Sequence, residues 1–242
     1  MDKNTIVVVG AGQGLGNHVA KRFGKEGFRV VLMARDGDAL KRYRQEFADE
    51  GIETFVHEAD AEKTETLDTA FGWVKQQFGT PDVLVYNVGI TAADEPGKMT
   101  NAELMRHYQV DVASAWHCAR LVADDDFGKK QGVILFTGGG LGTLPASSFT
   151  PLSIDKAALR ALACMLHDEL KAKGIFVGTV TVYGPIGIGT YFAPARIAET
   201  YWRMYRERSE WEVRYEYPEM QGSNLSAQDY WTKVYGLTEK YK

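Results

Sequence analysis

Ile6-Val7-Val8-Val9-Gly10-Ala11-Gly12-Gln13-Gly14-Leu15-Gly16 is the stretch on which the fold turns. Its β-branched apolar run suits a strand covered on both faces. The run breaks off in four glycines, which permit a tight turn and let backbone approach a ligand with no Cβ between. Asn17 to Glu26 follows, with Val19, Ala20 and Phe23 at helical spacing. The glycines therefore sit where a strand becomes a helix. Free N–H groups and the positive end of the helix dipole meet there, and a dinucleotide pyrophosphate suits that place. A purely structural Gly-rich turn is the alternative. The position between strand and helix favours the pyrophosphate.

Working outward, strands and helices alternate. Arg29 to Met33 reads as a second strand, Asp38 to Glu50 as a helix and Glu53 to Ala59 as a third strand. Thr64 to Phe78 is helical, with Leu67, Phe71, Val74 and Phe78 on one face, and Asp82 to Tyr86 is a buried fourth strand. Thr100 and Glu103 form a capping-box pattern before a long helix to about Asp126. Val133 to Thr137, Ile175 to Val182 and Trp211 to Tyr217 read as strands five to seven. Helices over Leu152 to Lys173 and Pro194 to Ser209 lie between them. The expected fold is α/β: one Rossmann-type domain over residues 1–217, a doubly wound parallel sheet with strand order 3-2-1-4-5-6-7.

The chain's 242 residues are ample for one core. Its formal charge of −4, from 28 basic and 32 acidic residues with no basic block, argues against nucleic acid as a partner. Cys118 and Cys164 show neither metal spacing nor a disulfide framework, so no metal is expected and a reducing cytoplasm fits. No signal peptide or membrane-spanning run is read, and no membrane partner is expected.

The end of the second strand bears on the cofactor. Leu32-Met33-Ala34-Arg35-Asp36 brings a guanidinium first, which matches a 2′-phosphate and so NADP(H). Asp36 beside it has the opposite sign and would favour NAD(H), the less expected cofactor. A solvated strand-end charge is the plain alternative for Arg35.

Gly10, Gly14 and Gly16 in G-x-x-x-G-x-G resemble the short-chain dehydrogenase/reductase family, and the resemblance covers nearly all of residues 5 to 217. It implies that Gly10, Gln13, Gly14, Leu15 and Gly16 line the pyrophosphate and Asp60-Ala61 the adenine. Tyr86-Asn87-Val88-Gly89 resembles the family's N-N-A-G motif. There the Asn steadies the central sheet, and small residues such as Val88 and Gly89 admit the adenine ribose. Tyr183-Gly184-Pro185-Ile186 stands for the P-G stretch, which assigns a backbone amide at Ile186 to the nicotinamide carboxamide.

The catalytic side departs from the family. Lys156, in Ser153-Ile154-Asp155-Lys156, matches the Lys that binds the nicotinamide ribose. Four residues earlier stands Leu152 in place of the acid–base Tyr. Gly139 occupies the place of the carbonyl-polarising Ser, and Asp111 that of the Asn holding a relay water. A positioned acid–base is worth roughly 10²–10⁴-fold in rate. Tyr183, at the end of strand six, is a candidate replacement donor, with packing or substrate orientation as the alternative. Asp111 is a candidate base if burial raises its pKa, or else an ion-pair partner of Lys156. Ser147, Ser148, Ser153 and His107 are candidate substrate contacts or plain polar residues.

Between strands six and seven, Tyr191, Phe192, Tyr201, Trp202 and Tyr205 suggest an aromatic lid or a subunit interface. Residues 218–242 carry Tyr230, Trp231, Tyr235 and Leu237, expected to dock on the same or a neighbouring subunit. The family resemblance implies a homodimer or homotetramer through the two long helices. Two functions follow: an oxidoreductase acting on a small-molecule carbonyl or alcohol, or a dinucleotide-binding protein without turnover.

Overall fold

The computed structural model describes residues 3–94, 96–187 and 189–240, with side chains through residue 238. Parallel strands β1 (Thr5–Val9), β2 (Arg29–Ala34), β3 (Thr54–Glu58), β4 (Val83–Tyr86), β5 (Val133–Gly139), β6 (Phe176–Val182) and β7 (Glu212–Tyr215) form one sheet. Its order is 3-2-1-4-5-6-7, as the alternation of elements predicts. The period of two in β1 sends Ile6 and Val8 into one core layer and Val7 and Val9 into the other. Both layers are apolar, so every residue of β1 is buried.

One layer is covered by α1 (Leu15–Gly24) and α2 (Gly37–Asp49), the other by α3 (Thr64–Phe78). The capping box forms: Thr100 and Glu103 close the start of α4 (Asn101–Tyr108). The long helix expected from Asn101 to Asp126 runs without a gap to Val122 but is not α-helical throughout. A π-helical turn over Gln109–Ala113 separates α4 from α5 (Ser114–Val122), and a short α6 (Asp125–Lys129) follows. Side chains brace the π-helical turn. The Tyr86 hydroxyl donates to the Val110 carbonyl inside the turn. Ser114 Oγ leaves its own helix to donate to the Ala61 carbonyl.

Helix α7 (Thr150–Leu170) lies across the end of β5, and α8 (Pro194–Glu207) precedes β7. Much of the aromatic stretch around α8 packs within the chain. Trp202 and Tyr205 stack at 5.2 Å, and Trp202 meets Phe23 of α1 edge-on at 5.1 Å. Tyr201, Phe192 and Tyr217 are fully buried. Their ring area fills the gap between α1, α8 and the sheet, a bulk that spacing alone does not assign to a neighbour.

Helix α9 (Ala227–Lys240) packs on its own chain. Tyr230 is buried and its hydroxyl donates to Glu216 at 3.0 Å, while Trp231 Nε1 donates to the Leu144 carbonyl at 2.8 Å. The last two residues of the C-terminal stretch lie outside the described residues.

Candidate functional site

Strand order reverses between β1 and β4, and ligands bind at the carboxyl ends of strands around such a point. A cleft of about 480 Å³ opens there. It is lined by Gly10, Arg35, Asp60, Ala61, Asn87, Val88 and Gly89 among the residues expected for a cofactor. Gly10 has φ of +90°, and a Cβ on it would stand 2.8 Å from the Asn87 carbonyl carbon. A Cβ on Gly16 would meet the Gly10 carbonyl oxygen at 2.4 Å. These two glycines let the turn close on itself. Gly12 and Gly14 face open space, and no side chain caps α1. The Asn17 N–H donates to the Gly12 carbonyl at 3.1 Å, which leaves the amides of Leu15 and Gly16 at the start of α1 for an anion. Gln13 and Gly14 are exposed beside them, while Leu15 and Gly16 are buried.

Asn87 ties this turn to the sheet. Its Nδ2 donates to the Gly10 carbonyl at 3.1 Å, and its Oδ1 accepts from Thr137 Oγ1 at 2.8 Å. At the far end, Arg35 is exposed and has no ion pair among the described residues. Asp36 lines the cleft beside it and also has a structural task. Its Oδ1 accepts from the backbone N–H groups of Asp38 and Ala39 at 3.0 and 2.9 Å, capping α2. Asp60 Oδ1 accepts from the Glu62 backbone at 3.0 Å.

Sequence reasoning missed Tyr43, Arg106 and Val110, which also line the cleft. The four-residue step from Arg106 to Val110 places both on one helix face, which was the available signal. Arg106 Nε donates to Glu62 at 2.9 Å.

On the catalytic side, Lys156 and Asp111 are brought together. Lys156 is buried and its Nζ donates to the Thr137 carbonyl at 3.1 Å. Asp111 is buried in the π-helical turn, and its Oδ1 accepts from the Ile90 N–H at 3.0 Å. A Cβ on Gly89 would stand 3.3 Å from both Asp111 Oδ2 and Lys156 Nζ, so the two flank the end of the cleft. Burial pushes the Asp111 carboxyl above its usual range, with Lys156 opposing. Burial lowers the Lys156 amine, with Asp111 and Asp155 opposing. Asp155, also buried, is pushed up to about 7 by desolvation and then by the Asp111 charge.

Leu152 stands in the first turns of α7 with 7% of its surface exposed. Gly139 is extended at the end of β5, and a Cβ there would lie 3.1 Å from Lys156 Cγ. Tyr183 does not line the cleft. It is fully buried, and its hydroxyl shares a 2.8 Å hydrogen bond with Thr143 Oγ1. The Arg214 guanidinium lies 4.2 Å from its ring centroid, and burial raises its pKa. Ile186 is exposed on the loop after β6.

A second cleft of about 580 Å³ lies between the loop after β4, helix α4 and the start of α7. Asp94, Glu103, His107, Ser148 and Pro151 are among its lining residues. Ser153 Oγ accepts from the Ala146 N–H at 3.2 Å, and Ser147 gives its carbonyl to Thr150 Oγ1.

Known proteins resemble the chain at both levels. The short chain dehydrogenase family model matches residues 4–193. An uncharacterized oxidoreductase, YvrD, of Bacillus subtilis is 26% identical over 200 residues, 81% of this chain and 74% of that protein. The 3beta-hydroxysteroid dehydrogenase 1 of Eggerthella lenta is 29% identical over 178 residues, 73% of this chain and 68% of that one. Among solved structures, an alcohol dehydrogenase of Thermococcus sibiricus complexed with 5-hydroxy-NADP superposes with a TM-score of 0.78 at 21% identity, covering 90% of this chain and 99% of that one. With its glycine turn, strand order and Lys156 in place, the chain belongs to the short-chain dehydrogenase/reductase family of oxidoreductases.

Proposed function

We propose that the protein binds NADP(H) and moves hydride between the nicotinamide and a small compound of the carbonyl class or its alcohol. The observation that carries this reading is Arg35, without an ion pair among the described residues at the end of the cleft, where Oδ1 of the neighbouring Asp36 is held by the start of α2. A guanidinium there suits a 2′-phosphate. The open glycines and uncapped amides of α1 suit the pyrophosphate. Asp60 and Ala61 would hold the adenine, Asn87 to Gly89 its ribose, Lys156 the nicotinamide ribose and Ile186 the carboxamide. The bound cofactor supplies or accepts the hydride.

Lys156, Asp111 and Tyr183 are the assigned catalytic candidates. Lys156 orients the ribose hydroxyls and carries positive charge beside the reacting centre. Asp111 holds or releases a proton next to it. Tyr183 acts only after its hydroxyl leaves Thr143. A second reading, binding without turnover, has its own support: Leu152 and Gly139 bring no donor to the place where the family polarises a carbonyl.

The chain works as a homodimer or homotetramer in the cytoplasm. Support comes from apolar side chains exposed on α4, α5 and α7, with Met165 61% and Trp116 44% exposed. Neither cysteine forms a disulfide, and no helix among the described residues is long and apolar enough to cross a membrane. NADPH oxidation, followed at its absorbance band across a carbonyl panel, tests the reading. Turnover of any member supports it, and binding with no turnover throughout favours the second.

A further inference from the structure

The glycines from Gly138 to Gly142 line neither cleft. Their task is close packing. A Cβ on Gly140 would stand 2.5 Å from Cδ1 of the Tyr183 ring, and one on Gly142 would stand 2.6 Å from the Lys156 carbonyl carbon. No side chain fits at either place. The turn from Gly140 to Leu144 is therefore a thin layer between Tyr183 and the backbone of α7 at Lys156. It is closed by its own bonds, with the Thr143 and Leu144 N–H groups donating to the Gly140 carbonyl at 3.0 and 2.9 Å. The Lys156 side chain runs along the strand that leads into this turn. A Cβ on Gly139 would lie 3.1 Å from its Cγ, and its Nζ donates to the Thr137 carbonyl at 3.1 Å.

The outer side of this layer is held by the end of the chain. The match to the family model stops at residue 193, and β7 and α9 lie beyond it. The Tyr183 ring faces the Arg214 guanidinium of β7 at 4.2 Å and the Tyr230 ring of α9 at 5.9 Å, while its hydroxyl reaches Thr143 in the turn. Trp231 adds a direct tie, since its Nε1 donates to the Leu144 carbonyl at 2.8 Å. Helix α9 is seated by Val234, fully buried, and by Tyr230. The Tyr230 hydroxyl and Arg214 Nη2 donate to the same oxygen of the buried Glu216, at 3.0 and 3.2 Å. Moving outward from the site, the order is Lys156, the turn, Tyr183, then β7 and α9. A close-packed interior is barely compressible, so a shift of the outer members passes to the inner one.

We propose that α9 is an intrachain clasp on the nicotinamide end of the cofactor site, with Trp231 as a positioning residue for Lys156. By holding the Leu144 carbonyl, Trp231 keeps the turn seated on α7. The seated turn fixes the Lys156 backbone and stem, and so the place where the amine meets the nicotinamide ribose. This rests on the reading that the chain binds NADP(H) with Lys156 at that ribose. The adenine end does not depend on the clasp. Arg35 and Asp60 follow β2 and β3, on the other side of the point where strand order reverses. Loosening the clasp therefore weakens the hold on the nicotinamide half alone. The coupling is reciprocal: a cofactor that holds Lys156 also steadies the turn and α9.

The test uses the full-length protein and two ligands. One is NADPH. The other is 2′,5′-ADP, which keeps the adenine and the 2′-phosphate and lacks the nicotinamide half. Calorimetry gives both affinities for the unmodified chain and for Trp231→Phe, which keeps an aromatic ring and removes the N–H donor. The variant is expected to bind NADPH about three- to tenfold more weakly, the range for one lost hydrogen bond, and 2′,5′-ADP within about twofold of the unmodified chain. A merely structural role would lower thermal stability without changing the ratio of the two affinities. Hydrogen exchange on the unmodified protein is the second measurement, and it decides alone if the variant does not fold. NADPH is expected to slow exchange at Thr143, Leu144 and α9, and 2′,5′-ADP to leave them unchanged. Equal loss for both ligands, no loss for either, or exchange at the turn and α9 that is indifferent to NADPH overturns the proposal and leaves the cofactor reading intact. An unmodified chain that does not bind NADPH overturns the cofactor reading and the proposal with it.

Discussion

Restoring the two missing donors, Leu152→Tyr with Gly139→Ser, should create ketone reduction. The structure sets both costs. Gly139 is extended, with φ of −142°, so a serine there meets no left-handed strain. Its Cβ would lie 3.1 Å from Lys156 Cγ, and that flexible aliphatic stem needs to give by only a few tenths of an ångström. Leu152 is 7% exposed, so tyrosine adds volume at a packed position, costing about 1–3 kcal/mol. A domain stable by about 5–15 kcal/mol accommodates that. The gain is larger. A positioned acid contributes about 10²–10⁴-fold, and an oxyanion donor about 10²–10³-fold. Because both act on one oxygen, their effects should be non-additive. The double variant should reduce simple ketones at least about 100-fold faster than the unmodified chain. The assay is NADPH oxidation at saturating cofactor, with thermal unfolding checked in parallel. A folded, NADPH-binding double variant with no gain would refute the reasoning. So would an unmodified protein that already reduces simple ketones at about 1–10³ per second.

Arg35→Ala should weaken NADPH selectively by about 1.5–3 kcal/mol, the range for hydrogen bonds to charged groups; an equal loss for NADH would count against a phosphate contact. Trp116→Glu with Met165→Glu places charge on the exposed apolar faces of α5 and α7. It should convert the oligomer to monomer by light scattering, and an unmodified chain that is already monomeric would show the faces serve otherwise. Asp155 binds its proton more tightly folded than unfolded, so its contribution is fully present below about pH 4. It declines as pH rises towards the folded pKa of about 7, by about 1.4 kcal/mol per pH unit at most. Asp155→Asn should remove that decline, seen as a flatter stability–pH curve in urea titrations between pH 5 and 8. The same slope in both proteins would mean the group does not titrate there.

Much of the fold was legible because its signals are local. The Val run of β1 and the glycines after it fix a strand–turn–helix unit, and alternation of elements fixes the sheet order. The π-helical turn at Gln109–Ala113 was not legible. It depends on Tyr86 and Ser114 bonding to backbone remote in sequence, Val110 and Ala61. The intrachain packing of the aromatic stretch around α8 was not legible, because ring content measures how much surface must be covered, not what covers it. On the cofactor side, Arg35 was visible as a charge at a strand end. The fate of Asp36 needed coordinates, since capping α2 depends on the angle at which the helix starts. Lys156 and Asp111 lie forty-five positions apart, and only packing of α7 against the π-helical turn sets both at Gly89. Asp155 carried no sequence signal beyond its neighbour. Its importance comes from burial, which the helical face decides.

The central claim is that the cleft holds a dinucleotide with a 2′-phosphate. Calorimetric titration of the unmodified protein with NADPH and with NADH tests it most directly. One NADPH per chain should bind, at least about tenfold tighter than NADH, as about 1.4 kcal/mol or more from Arg35 requires. Equal affinity, preference for NADH, or no heat with either would contradict it.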